Sequence, residues 1–414
     1  MSDLWSVDAY LAHCLAAITP LPAREVALLD AAGCLLAEDV VSDISMPRFD
    51  NSSMDGYAVR AAEIAGAGPD SPVELPVLGD IPAGHPDVVR LEPGSTLRIM
   101  TGAPVPDGAD AVVPVEWTDA GATRVRIRQA PAPGQYLRRS GEDVRTGETV
   151  LRTGVRLSPR HIALLAAVGR DRVRVQPRPL VIVMPTGSEL VPPGKALGPG
   201  QIHDSNGYGL IAAVRELGAD AEHGGVIDDN ADAVTRMLNA AAERADLVIT
   251  TGGVSAGAYD TVKEVLRDLG TVRFEKVAMQ PGMPQGFGAV GDGTPIFTLP
   301  GNPVSALVSF EVFVRPALLR LTGEPDTGRP TRTATAAVGW TSPVGKRQFV
   351  RARLEGTDSE VPGDLLVRPV GGQGSHLVAD LAEATCLAVV PEDVGEVAAG
   401  DQVPCILLDQ RGRW

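Results

Sequence analysis

The chain has 414 residues, and at about 150 residues per domain that argues for two to four domains, each with a core drawn from the 44% of residues that are hydrophobic. Aromatics are only 4%, so those cores rest on Val, Leu, Ile and Ala, while 46 Gly and 34 Pro point to many tight turns between short elements. The 37 Lys and Arg against 52 Asp and Glu leave a net charge of −15, which argues against a general nucleic-acid binder, because phosphate-backbone binding requires a basic face. One small anionic ligand in a locally basic pocket stays compatible with it.

The four cysteines, Cys14, Cys34, Cys386 and Cys405, lie far apart with no CxxC pair. They read as reduced packing residues rather than a disulfide frame or zinc site. The first ten residues carry neither a basic region nor a long apolar run, so no signal peptide is expected. No apolar stretch reaches the roughly 18 residues of a membrane span. A soluble, cytoplasmic protein without membrane or nucleic-acid partners is expected.

In chain order, Val7, Tyr10, Leu11, Cys14, Leu15 and Ile18 recur at helical spacing after Ser6, a candidate N-cap. From about 40 to 150 short β-type runs (73–78, 96–100, 111–115 and 124–128) alternate with Pro/Gly turns, which reads as an all-β domain. A second helical patch follows: Ser158 caps, Pro159 opens the first turn, 161–168 is apolar and Gly169 ends it. The two helical patches flank the β segment, so they can pack together with the β-domain inserted between them. From 178 to 322 strands at 180–184, 246–250 and 294–299 alternate with helices near 205–217, 231–244, 260–269 and 303–321. That alternation predicts a parallel, doubly wound sheet with ligands at the C-terminal strand ends. After residue 323 the texture returns to β, read as a small C-terminal barrel.

Three strand-to-loop junctions of the doubly wound segment have unusual composition: MPTGSEL (184–190), TTGGVSAGAYD (250–260) and LPGNPVS (299–305). Each offers small residues and free backbone N–H groups at a helix start, which suits a phosphate or other anion. One such loop is ordinary turn chemistry; three on one sheet edge favour a binding site. Neither a Walker A loop nor a GxGxxG after a strand is present. Carboxylates Glu189, Asp204, Asp228, Asp229 and Asp260 sit beside these loops, and one or two carboxylates plus water suit a divalent metal on a phosphate. Helix capping is the plain alternative for Asp228, Asp229 and Asp260. The β segment carries DNSSMDGYAV (50–59), RIMTGAP (98–104) and RRSGED (138–143), where arginine forks match oxyanions and surface ion pairing is the plain alternative. The six histidines show no metal-ligand spacing, and His13 and His161 read as structural.

Together these segments resemble the molybdopterin molybdenumtransferase family, whose bacterial members are called MoeA and whose animal relative is the C-terminal domain of gephyrin. The resemblance rests on eight motifs in matching order across nearly the whole chain: SMDGYAV (53–59), RIMTGAP (98–104) with GADAVV (108–113), GEDV (141–144), PTGSEL (185–190), GQIHDSN (200–206), TTGGVSAGAYD (250–260), PGMPQGFG (281–288) and LPGNPVSA (299–306). It implies a multidomain α/β plus β fold. A split helical linker domain (1–43 and 147–177) flanks an inserted β-domain (44–146). A doubly wound molybdopterin-binding domain (178–325) and a C-terminal β-barrel (326–414) follow. The implied activity is insertion of molybdate into adenylylated molybdopterin with release of AMP, dependent on Mg2+. The implied assembly is a homodimer, with the site between the doubly wound domain of one subunit and the β-domain of the other. A molybdopterin adenylyltransferase is a further implied partner.

The same resemblance assigns Asp55, Thr101, Asp143, Glu189, Asp229 and Asp260 as the catalytic polar set, with Glu189 and Asp260 as metal ligands. Thr251, Gly252, Gly253, Ser255 and Gly257 would cradle the pterin phosphates, beside Pro300, Gly301 and Asn302 of the third junction. Pro284, Ser305 and Arg347 correspond to molybdate-side positions, with Ser375 added from the barrel. Three departures lower the charge around the site: Gln280 and Met283 stand where the family commonly has lysines, Ser188 where it has an acid, and Asn230 where a second Asp is frequent. An adenylyltransferase is disfavoured by the β segment with SMDGYAV, and a scaffold by the absence of a fused partner domain or long linker.

Overall fold

The structure is a computed structural model that describes residues 4–84, 89–227, 230–253, 261–268, 270–356 and 365–408. The chain forms two compact units: Met1–Glu25, Gly33–Leu35 and Arg174–Trp414 make one, Val26–Ala32 and Leu36–Val173 the other. The α-helices of the described residues are α1 (Val7–Ala16), α2 (Pro159–Ala167), α3 (Ser205–Glu216), α4 (Ala231–Ala242), α5 (Thr261–Asp268), α6 (Pro303–Ser309), α7 (Arg315–Leu321) and α8 (Val378–Glu383).

The larger unit is built on a six-stranded sheet. Its order is Asp220–His223, Leu180–Pro185, Leu247–Thr251, Thr294–Leu299, Pro284–Val290 and Val272–Lys276. Alternate residues of each central strand enter different cores. Val181, Val183, Leu247, Ile249, Phe297 and Leu299 pack with α3, α6 and α7, while Ile182, Met184, Val248 and Ile296 pack with α4 and α5. Burial of both faces is why these strands read as continuous apolar runs.

The first four strands pair in parallel, but the last two pair antiparallel, so the sheet is mixed rather than wholly parallel. The hairpin follows from Gly291 and Gly293, both at positive φ, in a three-residue connection between paired Val290 and Thr294; so short a link permits only antiparallel pairing. The helix expected at 303–321 is interrupted by a π-turn at Phe310–Val314.

Ser6 caps α1 by accepting from the Ala9 N–H at 3.2 Å, as the sequence predicts. Val7, Tyr10 and Cys14 of α1 are buried, with Tyr10 edge-on to Phe313 at 5.0 Å. The partner that buries the stripe of α1 is therefore α7 with the turn before it.

The C-terminal part closes into a five-stranded barrel of Thr331–Ala336, Arg347–Glu355, Leu366–Pro369, Cys386–Val390 and Gln402–Leu407, sealed by pairing of the second strand with the fourth. Its interior is lined by small residues, among them Ala334, Ala336, Ala352, Cys386, Ala388 and Cys405, as a narrow barrel requires.

The smaller unit holds a five-stranded sheet in the order Ala111–Pro114, Gly56–Val59, Thr96–Ile99, Val73–Ile81 and Arg124–Ile127, which includes all four β runs read from sequence. Gly56 is forced by packing: a Cβ there would lie 1.9 Å from the Val113 carbonyl oxygen. In α2 the Ser158 N–H donates to His161 Nδ1 at 3.1 Å, so His161 is a capping residue, consistent with a structural role.

Candidate functional site: an anion cleft at the sheet edge

A cleft of about 830 Å³ opens at the C-terminal ends of the parallel strands, lined by Thr186–Glu189 of the first junction, Thr251–Gly253 of the second and residues 300–303 of the third. Strand ends fix its floor. Thr186 donates to the Thr251 carbonyl from both its N–H and its hydroxyl, each at 2.9 Å, and the Gly252 N–H continues the ladder to Leu299 O at 3.0 Å. Gly252 has φ +91°, and a Cβ on it would stand 2.4 Å from Thr186 Oγ1. Only glycine fits, and what it presents to the cleft is bare backbone.

The rim is held by α3. Its N-cap Asp204 is buried, with Oδ1 accepting from the Gly207 N–H at 2.8 Å and Oδ2 meeting His223 Nε2 at 2.9 Å. The Gly225 N–H donates to His223 Nδ1 at 3.0 Å, which leaves the ring hydrogen on Nε2, pointing at Asp204. Asp204 is thus a cap with both oxygens occupied. Asn206, next along, donates to Gly301 O at 2.7 Å and ties α3 to the third junction.

On the opposite side α6 starts at Pro303 with the buried Ser305 in its first turn, facing the cleft beside Pro284. Ser375 abuts this helix start: its hydroxyl accepts from Asn302 Nδ2 at 2.9 Å and its carbonyl takes the Val304 N–H at 3.1 Å. His376, which sequence reasoning left aside, also lines the cleft.

The structure therefore brings together Glu189, Thr251, Gly252, Gly253, Pro284, Pro300, Gly301, Asn302 and Ser305, with Ser375 against them. Asp229, Ser255, Gly257 and Asp260 lie outside the described residues, as does Asp228. Arg347 is not among the residues lining the cleft. Its guanidinium grips Asp8 at 2.7 and 2.8 Å and reaches Glu392 at 3.1 Å, and that grip holds the Asp8 carboxyl below its ordinary range.

Arg351 is the cation that the sequence argument underweighted. It is 4% exposed and donates to the carbonyls of Gly372, Gly374 and Leu377, so it fixes the loop that carries Ser375. It also lines a second cavity of about 290 Å³ together with Gln280, Val304, Trp340 and Gln348. Its partners are backbone atoms, which leave no mark in sequence.

In the smaller unit Thr101 donates to Asp55 Oδ1 from its N–H at 2.6 Å and its hydroxyl at 2.7 Å, the backbone bond first among the causes that hold Asp55 below the usual carboxylate range. Asp143 lines a hollow of about 520 Å³ with Met46, Pro47, Arg138 and Glu142. Arg98 pairs with Asp80 and Arg139 with Asp50, which are the surface ion pairs of the plainer reading.

No group of three His, Cys, Asp or Glu suited to a metal occurs among the described residues. Glu189 forms no ion pair among them, and the lining of the cleft it belongs to also includes the hydroxyl-bearing Thr186, Ser188 and Ser305. Such hard donors fit Mg2+ held by one or two carboxylates and a phosphate.

The model of the MoeA N-terminal region (domain I and II) matches residues 5–169, that of a probable molybdopterin binding domain residues 182–320, and that of the MoeA C-terminal region (domain IV) residues 333–408. Over 385 residues the chain is 52% identical to molybdopterin molybdenumtransferase 2 of Mycobacterium tuberculosis H37Rv, covering 91% of this chain and 93% of that one. It is 37% identical over 386 residues to molybdopterin molybdenumtransferase of Haemophilus influenzae, covering 93% of each. A solved structure of the molybdopterin biosynthesis MoeA protein from Pyrococcus horikoshii superposes with a TM-score of 0.78 at 33% identity, covering 99% of this chain and 100% of that one.

Proposed function

Since the chain belongs to the MoeA family and its relatives are named molybdopterin molybdenumtransferases, we propose that it carries out the metal-insertion step of molybdenum cofactor biosynthesis. In this reading adenylylated molybdopterin and molybdate react, the metal enters the dithiolene and AMP leaves. The observation that carries the reading is the cleft itself: three glycine- and proline-shaped strand ends converge on one concave, backbone-rich surface within the region matched by the molybdopterin-binding model.

The substrate is a multiply charged anion, and the positive ends of helices that start at the cleft edge offset that charge in place before the reaction. Thr251, Gly252 and Gly253 hold the phosphates against the floor, with Ser255 and Gly257 continuing the cradle. Pro300, Gly301 and Asn302 form the facing edge. Pro284 and Ser305 bound the molybdate side, where the Ser305 hydroxyl donates to an oxyanion. Glu189 and Asp260 would hold Mg2+, which supplies charge neutralisation at the pyrophosphate link when bound. Positioning, rather than a covalent nucleophile, lowers the barrier.

The reading extends to a cytoplasmic homodimer in which Asp55, Thr101 and Asp143 serve the reaction from the partner subunit, with Asp229 completing the polar set. It also takes in the four-part division at 43, 146, 177 and 325, and supply of substrate by a molybdopterin adenylyltransferase.

Reconstitution tests it. Purified protein given adenylylated molybdopterin, Mg2+ and molybdate releases AMP and yields metal-bearing cofactor; AMP release that ignores molybdate, or an ATP-dependent product without metal, contradicts it. For the shared site, mixed dimers of Asp55→Ala and Asp260→Ala subunits regain activity at one of two sites, and no recovery after verified subunit exchange contradicts that part.

A further inference from the structure

The segment from Val277 to Gln285 joins the sheet, α6 and the barrel, and three sets of contacts hold it. Arg347 N–H donates to Ala278 O at 2.9 Å, and Gln280 pairs with Gln348 on the barrel strand. The Val277 N–H closes the loop onto Met283 O at 2.8 Å. The third set is buried: Gln285, 1% exposed, spends one amide proton on Gly282 O at 2.6 Å and the other on Ser309 Oγ at 2.6 Å. Ser309 is fully buried on α6. Gly282 has φ +96°, and a Cβ there would lie 2.8 Å from Ser309 Oγ, so the turn is pressed directly against that hydroxyl.

This clamp links two parts of one wall. Pro284, adjacent to Gln285, lines the cleft, as does Ser305, one turn before Ser309 on the same helix. Gln280, at the other end of the turn, faces the second cavity beside Val304. Moving the turn relative to α6 would alter the spacing of Pro284 and Ser305, and an error of about 1 Å in a reacting geometry can cost about a hundredfold.

We propose that Gln285 and Ser309 are positioning residues, a buried amide–hydroxyl clamp that sets the molybdate side of the cleft and through it the capture of molybdate. The inference rests on the metal-insertion reading above. The chain has no lysine at 280 or 283 to attract the anion by charge, so capture depends on placement of fixed donors, and the clamp supplies that placement.

The test is titration of molybdate in the AMP-release assay with wild type, Ser309→Ala and the double variant Ser309→Ala/Gln285→Met. In Ser309→Ala the molybdate KM rises about tenfold, while kcat at saturating molybdate and the constant for adenylylated molybdopterin change less than about twofold. The double variant replaces a mismatched polar group with a matched apolar pair, so Tm recovers, yet the molybdate KM stays high because the turn has lost its tether. A purely structural role predicts that KM recovers together with Tm; that result, or an unchanged molybdate KM in folded variants, overturns the proposal. If Ser309→Ala does not fold, the double variant alone decides on the same criterion. An inactive wild type in the same assay overturns the metal-insertion reading and the clamp with it, so the two failures are told apart.

Discussion

The two walls of the cleft are made of different material. The floor at residues 186–189, 251–253 and 300–302 is backbone: strand ends drawn together by Thr186, with Gly252 at positive φ and too close to its neighbour for any side chain. The wall that carries Pro284 and Ser305 is placed by side chains behind it: Gln285 on Ser309, Asn302 on Ser375, Arg351 on three carbonyls. A backbone surface suits any phosphate, because N–H groups at helix starts carry little specificity. A side-chain wall can be tuned, and here the adjoining turn carries Gln280 and Met283, where the family resemblance implies lysines. If the proposed reading holds, affinity for the large substrate and selection of the metal oxyanion should be separable in this fold.

The largest expected effect breaks the floor. Gly252→Ala puts a Cβ 2.4 Å from Thr186 Oγ1 in a backbone conformation that L residues avoid, costing about 2–4 kcal/mol of stability. AMP release should fall at least about a hundredfold; wild-type turnover would show that the floor does not hold the substrate.

Asp260→Asn comes next. Asn serves at a helix start as Asp does but lacks the charge that the proposed Mg2+ role requires, so the variant is expected to stay folded while Mg2+-dependent turnover falls about a hundredfold. Full activity across a Mg2+ titration would remove Asp260 from the site.

A smaller effect sharpens the other wall. Met283→Lys adds a charge next to Pro284, on the proposed molybdate side, and the apparent molybdate constant should drop severalfold, with a steeper salt dependence because exposed charge is screened. No change at low and moderate ionic strength would place this position outside the capture path.

The smallest effect concerns Arg347. With its guanidinium committed to Asp8 and Glu392, Arg347→Ala should leave the molybdate constant within about twofold. Stability should fall by under about 1 kcal/mol, since Asp8 is 74% exposed and solvent screens the pair. The folded-state pKa of Asp8 is depressed by the Arg347 hydrogen bond. The pair's contribution is therefore present above the ordinary carboxylate pKa and is lost as pH falls through the lowered value. In the variant that acid-side loss flattens in a urea series, and a tenfold weaker molybdate response would return Arg347 to the site.

Legibility in sequence followed the same division. The floor could be read because glycine and proline at strand ends are local signals: TGSE, TTGG and LPGN each announced the end of a strand and a turn at the sheet edge. The closed barrel and the sheet's central strands could be read because apolar runs and alternation are local too. The antiparallel hairpin at 284–299 was missed although Gly291 and Gly293 marked its turn, since short strands ending in glycine pairs look like loops between helices. The clamp could not be read: Gln285 and Ser309 are 24 residues apart, and a buried amide on a hydroxyl has no spacing rule. Arg351 was undervalued for the same reason, its partners being carbonyls. Arg347 was placed at the site by resemblance, whereas the fold gives its charge to Asp8 and Glu392.

The separation of the two walls is tested most directly by titrating both substrates, molybdate and adenylylated molybdopterin, against Gly252→Ala and Ser309→Ala in one AMP-release series. The account predicts that Gly252→Ala weakens the constant for adenylylated molybdopterin far more than that for molybdate, and that Ser309→Ala does the reverse. Both variants shifting both constants in the same proportion would contradict it.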